Sequence, residues 1–140
     1  MNQSAPAPAP WREAVLDRFA AALRGEGLAP RTIVAYTRDV ADLLHRLAVD
    51  TEAELAALKL DDLREWLAFH VRRGDAKASL ARRGSSAKRF FRWALSQNLI
   101  RADQSVRLQT PVPGRTLPRV LAQSEAKRMM DQAAAAAAGG

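Results

Sequence analysis

Ala78-Ser79-Leu80-Ala81-Arg82-Arg83-Gly84-Ser85-Ser86-Ala87-Lys88-Arg89-Phe90-Phe91-Arg92-Trp93-Ala94-Leu95-Ser96-Gln97 is the stretch from which the rest of the chain is read. With successive residues placed about 100° apart, Leu80, Gly84, Ala87, Phe91, Ala94 and Leu95 share a sector about 100° wide. Arg82, Ser85, Ser86, Arg89, Arg92 and Ser96 fall on the other side. This pattern predicts one long helix with a narrow apolar stripe and a basic, hydroxyl-bearing face, approached by Arg72, Arg73 and Lys77. Arginine clamps phosphate or the edge of guanine and serine donates to phosphate, so such a face suits a nucleic-acid groove. A solvated helix face has the same pattern, and the helix alone does not separate the two.

The charge distribution bears on that choice. The chain of 140 residues carries a net charge of +7. Residues 72–119 hold twelve Lys/Arg against Asp75 and Asp103, a net +10, while residues 42–71 hold seven acids against Arg46, Lys59 and Arg64, a net −4. A basic half beside an acidic half fits a face that meets a polyanion. An anionic membrane fits less well, because the basic helix lacks a broad, bulky apolar face to insert. The sequence has no run of eighteen apolar residues and no signal-peptide pattern, so a soluble cytoplasmic protein is expected. With no cysteine there is no disulfide framework and no thiolate zinc site. No metal, cofactor or small-molecule substrate is expected, because no ligand cluster, glycine-rich phosphate loop or nucleophile–base pair is visible.

Outward from the basic helix, the other segments are also helical. The alternating Ala5-Pro6-Ala7-Pro8-Ala9-Pro10 blocks regular structure, so residues 1–10 are read as a disordered tail. Trp11, Val15, Leu16, Phe19 and Leu23 mark a helix over residues 11–24, stopped by Gly25 and Gly27. Pro30 opens a second helix with Ile33, Tyr36, Val40, Leu43, Leu44 and Leu47 inward. Its N-terminus sets Arg31 and Thr32 beside free backbone N–H groups, a ready phosphate site. On residue type alone Tyr36 is also a core-edge residue and Thr32 a first-turn hydroxyl. Asp50 or Thr51 caps a short helix over residues 52–58, with Glu54 as the reciprocal partner. Asp61 opens a helix to residue 73 with Leu63, Trp66, Leu67 and His70 inward, and Ser79 stands where it can cap the basic helix. Prolines 111, 113 and 118 make a linker that carries Arg101, Arg107, Arg115 and Arg119. A helix restarts at Ser124 and runs into six alanines.

The expectation is therefore an all-α fold. Residues 11–102 form a bundle of four to five helices, residues 103–121 an extended basic linker, and residues 122–140 the start of another helix.

Three motifs in this order resemble tyrosine site-specific recombinases, the XerC/XerD group in particular. Leu28-Ala29-Pro30-Arg31-Thr32-Ile33-Val34-Ala35-Tyr36-Thr37-Arg38-Asp39-Val40 resembles the "LSxxTxxxYxxDL" opening of their SAM-like core-binding domain. Ser79 to Trp93 of the basic helix resembles that domain's "ARRLSALRxFYRF" helix. Leu117-Pro118-Arg119-Val120-Leu121-Ala122-Gln123-Ser124-Glu125 resembles the "LPxxLsxxE" junction to the catalytic domain. The resemblance implies half of a C-shaped clamp on duplex DNA, with the second helix and the basic helix addressing the major groove. It places Arg31, Thr32, Tyr36, Lys77, Ser79, Arg82, Arg83, Ser86 and Arg89 at the DNA, with Arg82 and Arg89 as base readers. A recombination half-site and other recombinase protomers are the implied partners.

The departures from the family pattern carry expectations of their own. Gly84 and Ala87 replace larger apolar residues and Lys88 replaces arginine, so cavities and a less stable domain are expected. Ala122 replaces the usual hydroxyl cap, and Ala102-Asp103-Gln104 stands where the family has "NP". The family's catalytic residues lie after the linker, so no catalytic residue is assigned to this chain. His70-Val71-Arg72-Arg73 copies the H-x-x-R spacing of a catalytic box, but it precedes the basic helix and no tyrosine follows it. Tyr36 is the single tyrosine. Two other readings stay open: a fragment of a longer, active recombinase, and an interaction module for an acidic protein or full-length recombinase.

Overall fold

A computed structural model describes residues 10–110 of the chain. Five α-helices follow in order: α1 (Pro10–Gly25), α2 (Pro30–Arg46), α3 (Glu52–Ala56), α4 (Leu60–Arg72) and α5 (Lys77–Ser96). A 3₁₀ turn, Gln104–Arg107, closes the unit, and no strand occurs among the described residues. The fold is the expected all-α bundle. The Ala/Pro tail up to residue 9, the linker from residue 111 and the helix expected at 122–140 lie outside the described residues.

Local signals set the helix ends. Gly27 takes a φ of 81° between α1 and α2, and Gly74 a φ of 84° between α4 and α5, backbone that side-chain-bearing residues avoid. Thr51 caps α3 by accepting from the Glu54 N–H (3.1 Å), and the Glu54 carboxylate accepts from the Asp50 N–H (2.7 Å). The second acid of α4 takes the capping role there: the Lys59 N–H donates to Asp62 (2.8 Å), and the helix begins at Leu60, one residue before the expected Asp61. Ser79 caps nothing, because the N-cap of α5 is Ala76, with no side-chain bond.

The core forms around α5, which packs on α2, α4 and the 3₁₀ turn, while α1 packs on α2. Phe90 is fully buried, edge-on to Phe19 of α1 (5.2 Å between centroids) and to Phe91 (5.7 Å). The buried arc of α5 is therefore wider than the stripe read from the sequence. It takes in Phe90 and Ser86 and leaves Leu95 exposed. Neighbours grip the helix from both flanks, so an arginine-and-serine flank is drawn partly inside.

The helical unit also runs past the expected boundary at residue 102. Asp103 accepts from the Ser105 N–H (2.8 Å) and hydroxyl (2.6 Å), and the turn it caps drives Leu108 into the core. This continuation fills the space above Gly84. A Cβ placed on Gly84 would lie 1.9 Å from Cγ2 and 2.8 Å from Cβ of Thr110. The expected cavity at Gly84 is thus occupied, and the glycine is required by close approach of the following chain.

Gly84→Ala is expected to destabilise the domain by about 1–3 kcal/mol through overpacking, despite alanine's better helix propensity. Adding Thr110→Gly is expected to restore most of that loss in urea titrations. Equal stability of the single variant and the parent chain would refute the close approach.

Candidate nucleic-acid interface

Helices α2 and α5 carry all nine residues expected at DNA, and the structure packs these helices together. Their contacts progress in opposite directions. Arg82 and Ser86 meet Asp39 of α2, and further along α5 Arg89 meets Glu26, just before α2. The helices therefore lie side by side, antiparallel, with the basic flank of α5 along the seam.

Buried Asp39 organises that seam. A buried aspartate demands partners, and Asp39, with 3% of its side chain exposed, has four donors. Arg82 Nε donates to Oδ2 and Nη2 to Oδ1, both at 2.8 Å. Ser86 Oγ donates to Oδ2 (2.7 Å), and Arg83 Nη1 donates to Oδ1 (3.3 Å). The hydrogen bonds to Asp39 raise the Arg82 pKa, outweighing the opposite effect of its own partial burial. Sequence reading missed Asp39, although its signal was available: an acid three residues after Tyr36 and four before Leu43, on the inward face of an apolar helix.

A second cluster adjoins the first. Arg83 Nε donates to Asp75 (3.1 Å), as does Arg73 Nε (3.2 Å). His70 is 1% exposed, with Nε2 2.7 Å from Asp42 and Nδ1 3.3 Å from Asp75. Asp42 also accepts from the Trp66 indole (2.9 Å) and from Arg46 (2.9 Å). The H-x-x-R pair is thus committed to aspartates inside the domain. Among the described residues, no group of three or more His, Cys, Asp or Glu is placed to hold a metal ion.

This cluster makes stability depend on pH. Burial pushes the Asp42 carboxyl up, but the hydrogen bonds from Trp66 and His70 and the charges of Arg46 and His70 outweigh it, leaving the group below its ordinary 3.8. Asp75 is lowered likewise, with burial opposed by hydrogen bonds and charge from Arg73 and Arg83. A carboxyl depressed in the folded state adds stability above its unfolded pKa and loses it as pH falls towards the folded value. Urea midpoints are expected to drop below about pH 4, where unfolded aspartates take up protons, and Asp42→Asn is expected to flatten that decline. An unchanged acid limb in Asp42→Asn would refute the assignment.

The nine expected residues now fall into four groups. Arg31 and Lys77 are exposed and have no ionic partner among the described residues. Arg82 (39% exposed side chain) and Arg89 (32%) are half-exposed and paired, Arg89 with the exposed Glu26. Thr32, Tyr36 and Ser79 are half-buried. Arg83, 14% exposed, faces two aspartates, and Ser86 is fully enclosed. Ser86 is therefore corrected from a surface donor to a support for Asp39. The phosphate site expected at the start of α2 is also reduced, because the Thr32 and Ile33 N–H groups both donate to the Ala29 carbonyl (2.9 and 3.0 Å).

This order of helices, with the basic α5 laid on α2 and α4, defines a SAM-like helical domain. A family model described as "Phage integrase, N-terminal SAM-like domain" matches residues 16–98, and the chain belongs to that family. Its relatives include "Tyrosine recombinase XerC" of Mycobacterium tuberculosis (strain CDC 1551 / Oshkosh), 42% identical over 119 residues, covering 84% of this chain and 40% of that protein. The protein of the same name from Bifidobacterium longum (strain DJO10A) is 36% identical over 119 residues, covering 84% of this chain and 33% of the relative. That of Mycobacterium sp. (strain JLS) is 40% identical over 123 residues, covering 86% and 41%. The chain thus spans well under half the length of these relatives. No solved structure matches it. No helix among the described residues is long and apolar enough to cross a membrane.

Proposed function

We propose that this chain binds duplex DNA as the N-terminal core-binding domain of a XerC-like tyrosine recombinase. The observation that carries the reading is the seam itself. The two helices bearing the family's motifs lie together and expose Arg31, Lys77 and the outer parts of Arg82 and Arg89. Arg31 and Lys77, which release no internal partner on binding, supply phosphate contacts. Thr32 and Ser79 stand beside them as hydroxyl donors. Tyr36, Arg82 and Arg89 face the groove, and Arg83 and Ser86 hold the seam from beneath. Recombination belongs to the longer protein, in which this domain holds a half-site beside other protomers and the remaining length supplies strand cleavage.

The test is fluorescence anisotropy with a labelled duplex, titrated at several salt concentrations. Binding is expected to weaken steeply with salt. Arg31→Ala/Lys77→Ala is expected to weaken it several-fold and to reduce the log–log salt slope by about 1 for each cation removed. A folded chain that binds no duplex at low salt would overturn the reading.

A further inference from the structure

The Asp39–Arg82 pair occupies one edge of the guanidinium and leaves the others unpaired among the described residues. A guanidinium carries five N–H donors in a rigid plane. Asp39 engages the side edge of Arg82, Nε and Nη2, at 2.8 Å each. Three donors remain, two of them forming the fork at the far end of the guanidinium, and 39% of the side chain is exposed. Asp39 is itself immobilised, 3% exposed and held by the enclosed Ser86 and by Arg83. A second bidentate fork is thus fixed at the seam between α2 and α5. Arg89 differs: its one carboxylate partner, Glu26, is 55% exposed, so nothing rigid holds that guanidinium.

We propose that Asp39 is a positioning residue that holds the free fork of Arg82 towards the major groove, where it reads the O6/N7 edge of guanine. The inference rests on the DNA-binding reading above. A free arginine on a helix reaches phosphates and bases alike, whereas an arginine held along one edge offers its fork in one direction, as bidentate base contact requires. Arg82 therefore sets sequence preference, and Arg89 serves as a backbone contact.

The experiment uses the full chain and a pool of labelled duplexes randomised at internal positions, with the bound fraction sequenced. The parent chain is expected to enrich guanine at one position by about 5-fold or more, the range of one good bidentate contact. Asp39→Asn, with folding checked by thermal melting, is expected to lose that preference. It is also expected to bind mixed-sequence duplex more tightly with a steeper salt slope, because a carboxylate has been removed and Arg82 released. Partial unfolding would instead weaken all binding. Asp61→Asn, which removes an exposed acid elsewhere, is expected to keep the guanine preference.

Two further measurements do not depend on the folding of Asp39→Asn. Arg82→Lys keeps the charge but has no fork, and is expected to lose the preference at an unchanged salt slope. In the NMR spectrum of the free chain, the Arg82 Nε–H is expected to exchange slowly with solvent. Retained guanine preference in Asp39→Asn or Arg82→Lys, or a rapidly exchanging Arg82 Nε–H, would overturn the inference and leave DNA binding standing. Duplex binding by the parent chain with no base preference would do the same. Absence of any duplex binding at low salt would overturn both.

Discussion

Phe90→Ala is expected to cost about 3–5 kcal/mol, the range for removing a fully enclosed aromatic ring from a core. Phe90 has no exposed surface and stands at the centre of an aromatic cluster that joins α1 to α5. Phe19 lies edge-on at 5.2 Å, Phe91 edge-on at 5.7 Å, and Trp93 tilted at 5.8 Å. Alanine would leave those rings facing a void that the helices cannot close without moving. A domain of this size holds about 5–15 kcal/mol in total, so the variant would lose a large share of its stability. Phe90→Leu, which keeps much of the volume, is expected to lose about 1–2 kcal/mol. Urea denaturation of both variants checks the order. A loss below about 1 kcal/mol for alanine would show that the cluster is not packed as described.

The second large effect is expected at Asp39, where the chemistry is polar. Asp39→Ala would leave the enclosed Ser86 hydroxyl only the Arg82 carbonyl (2.9 Å) and the largely buried Arg83 only Asp75 (3.1 Å), while the half-exposed Arg82 can turn to water. Stranding a buried charge costs about 3–5 kcal/mol, and the partners left to Ser86 and Arg83 and the freedom of Arg82 put the expected loss below that, about 2–3 kcal/mol. Asp39→Ala/Arg82→Ala is expected to lose less than the two single variants combined, because each single variant already loses the Asp39–Arg82 hydrogen bonds. Strict additivity in denaturation measurements would indicate that the two side chains do not share one cluster.

The cluster also changes how the basic half of the chain is understood. Among residues 72–110, Arg72, Arg73, Arg82, Arg83 and Arg89 each have a carboxylate partner inside the domain. The net +10 read from the sequence of residues 72–119 therefore overstates the charge that is free to meet a phosphate backbone. Lys77, Lys88, Arg92, Arg101 and Arg107 keep theirs among the described residues, Lys88 donating only to the Val106 carbonyl (3.4 Å). Salt dependence of binding should follow these unpaired cations and Arg31 more than the arginine count.

The sequence by itself determined the helices, their order and the family. Each rests on information held within a few residues: Pro30 at a helix start, Gly27 and Gly74 at turns, Thr51 as a cap, and apolar residues at three- and four-residue spacing. The motifs around Tyr36 and Arg82 are equally local. Only the tertiary structure decided which members of the basic face are free. Arg82 and Ser86 find Asp39 across 43 and 47 residues, and Gly84 finds Thr110 across the turn after α5. An arginine read from its own helix is a charge pointing outward. Whether it can meet a ligand depends on the carboxylate that packing brings within 3 Å, and helical periodicity carries no record of that distance.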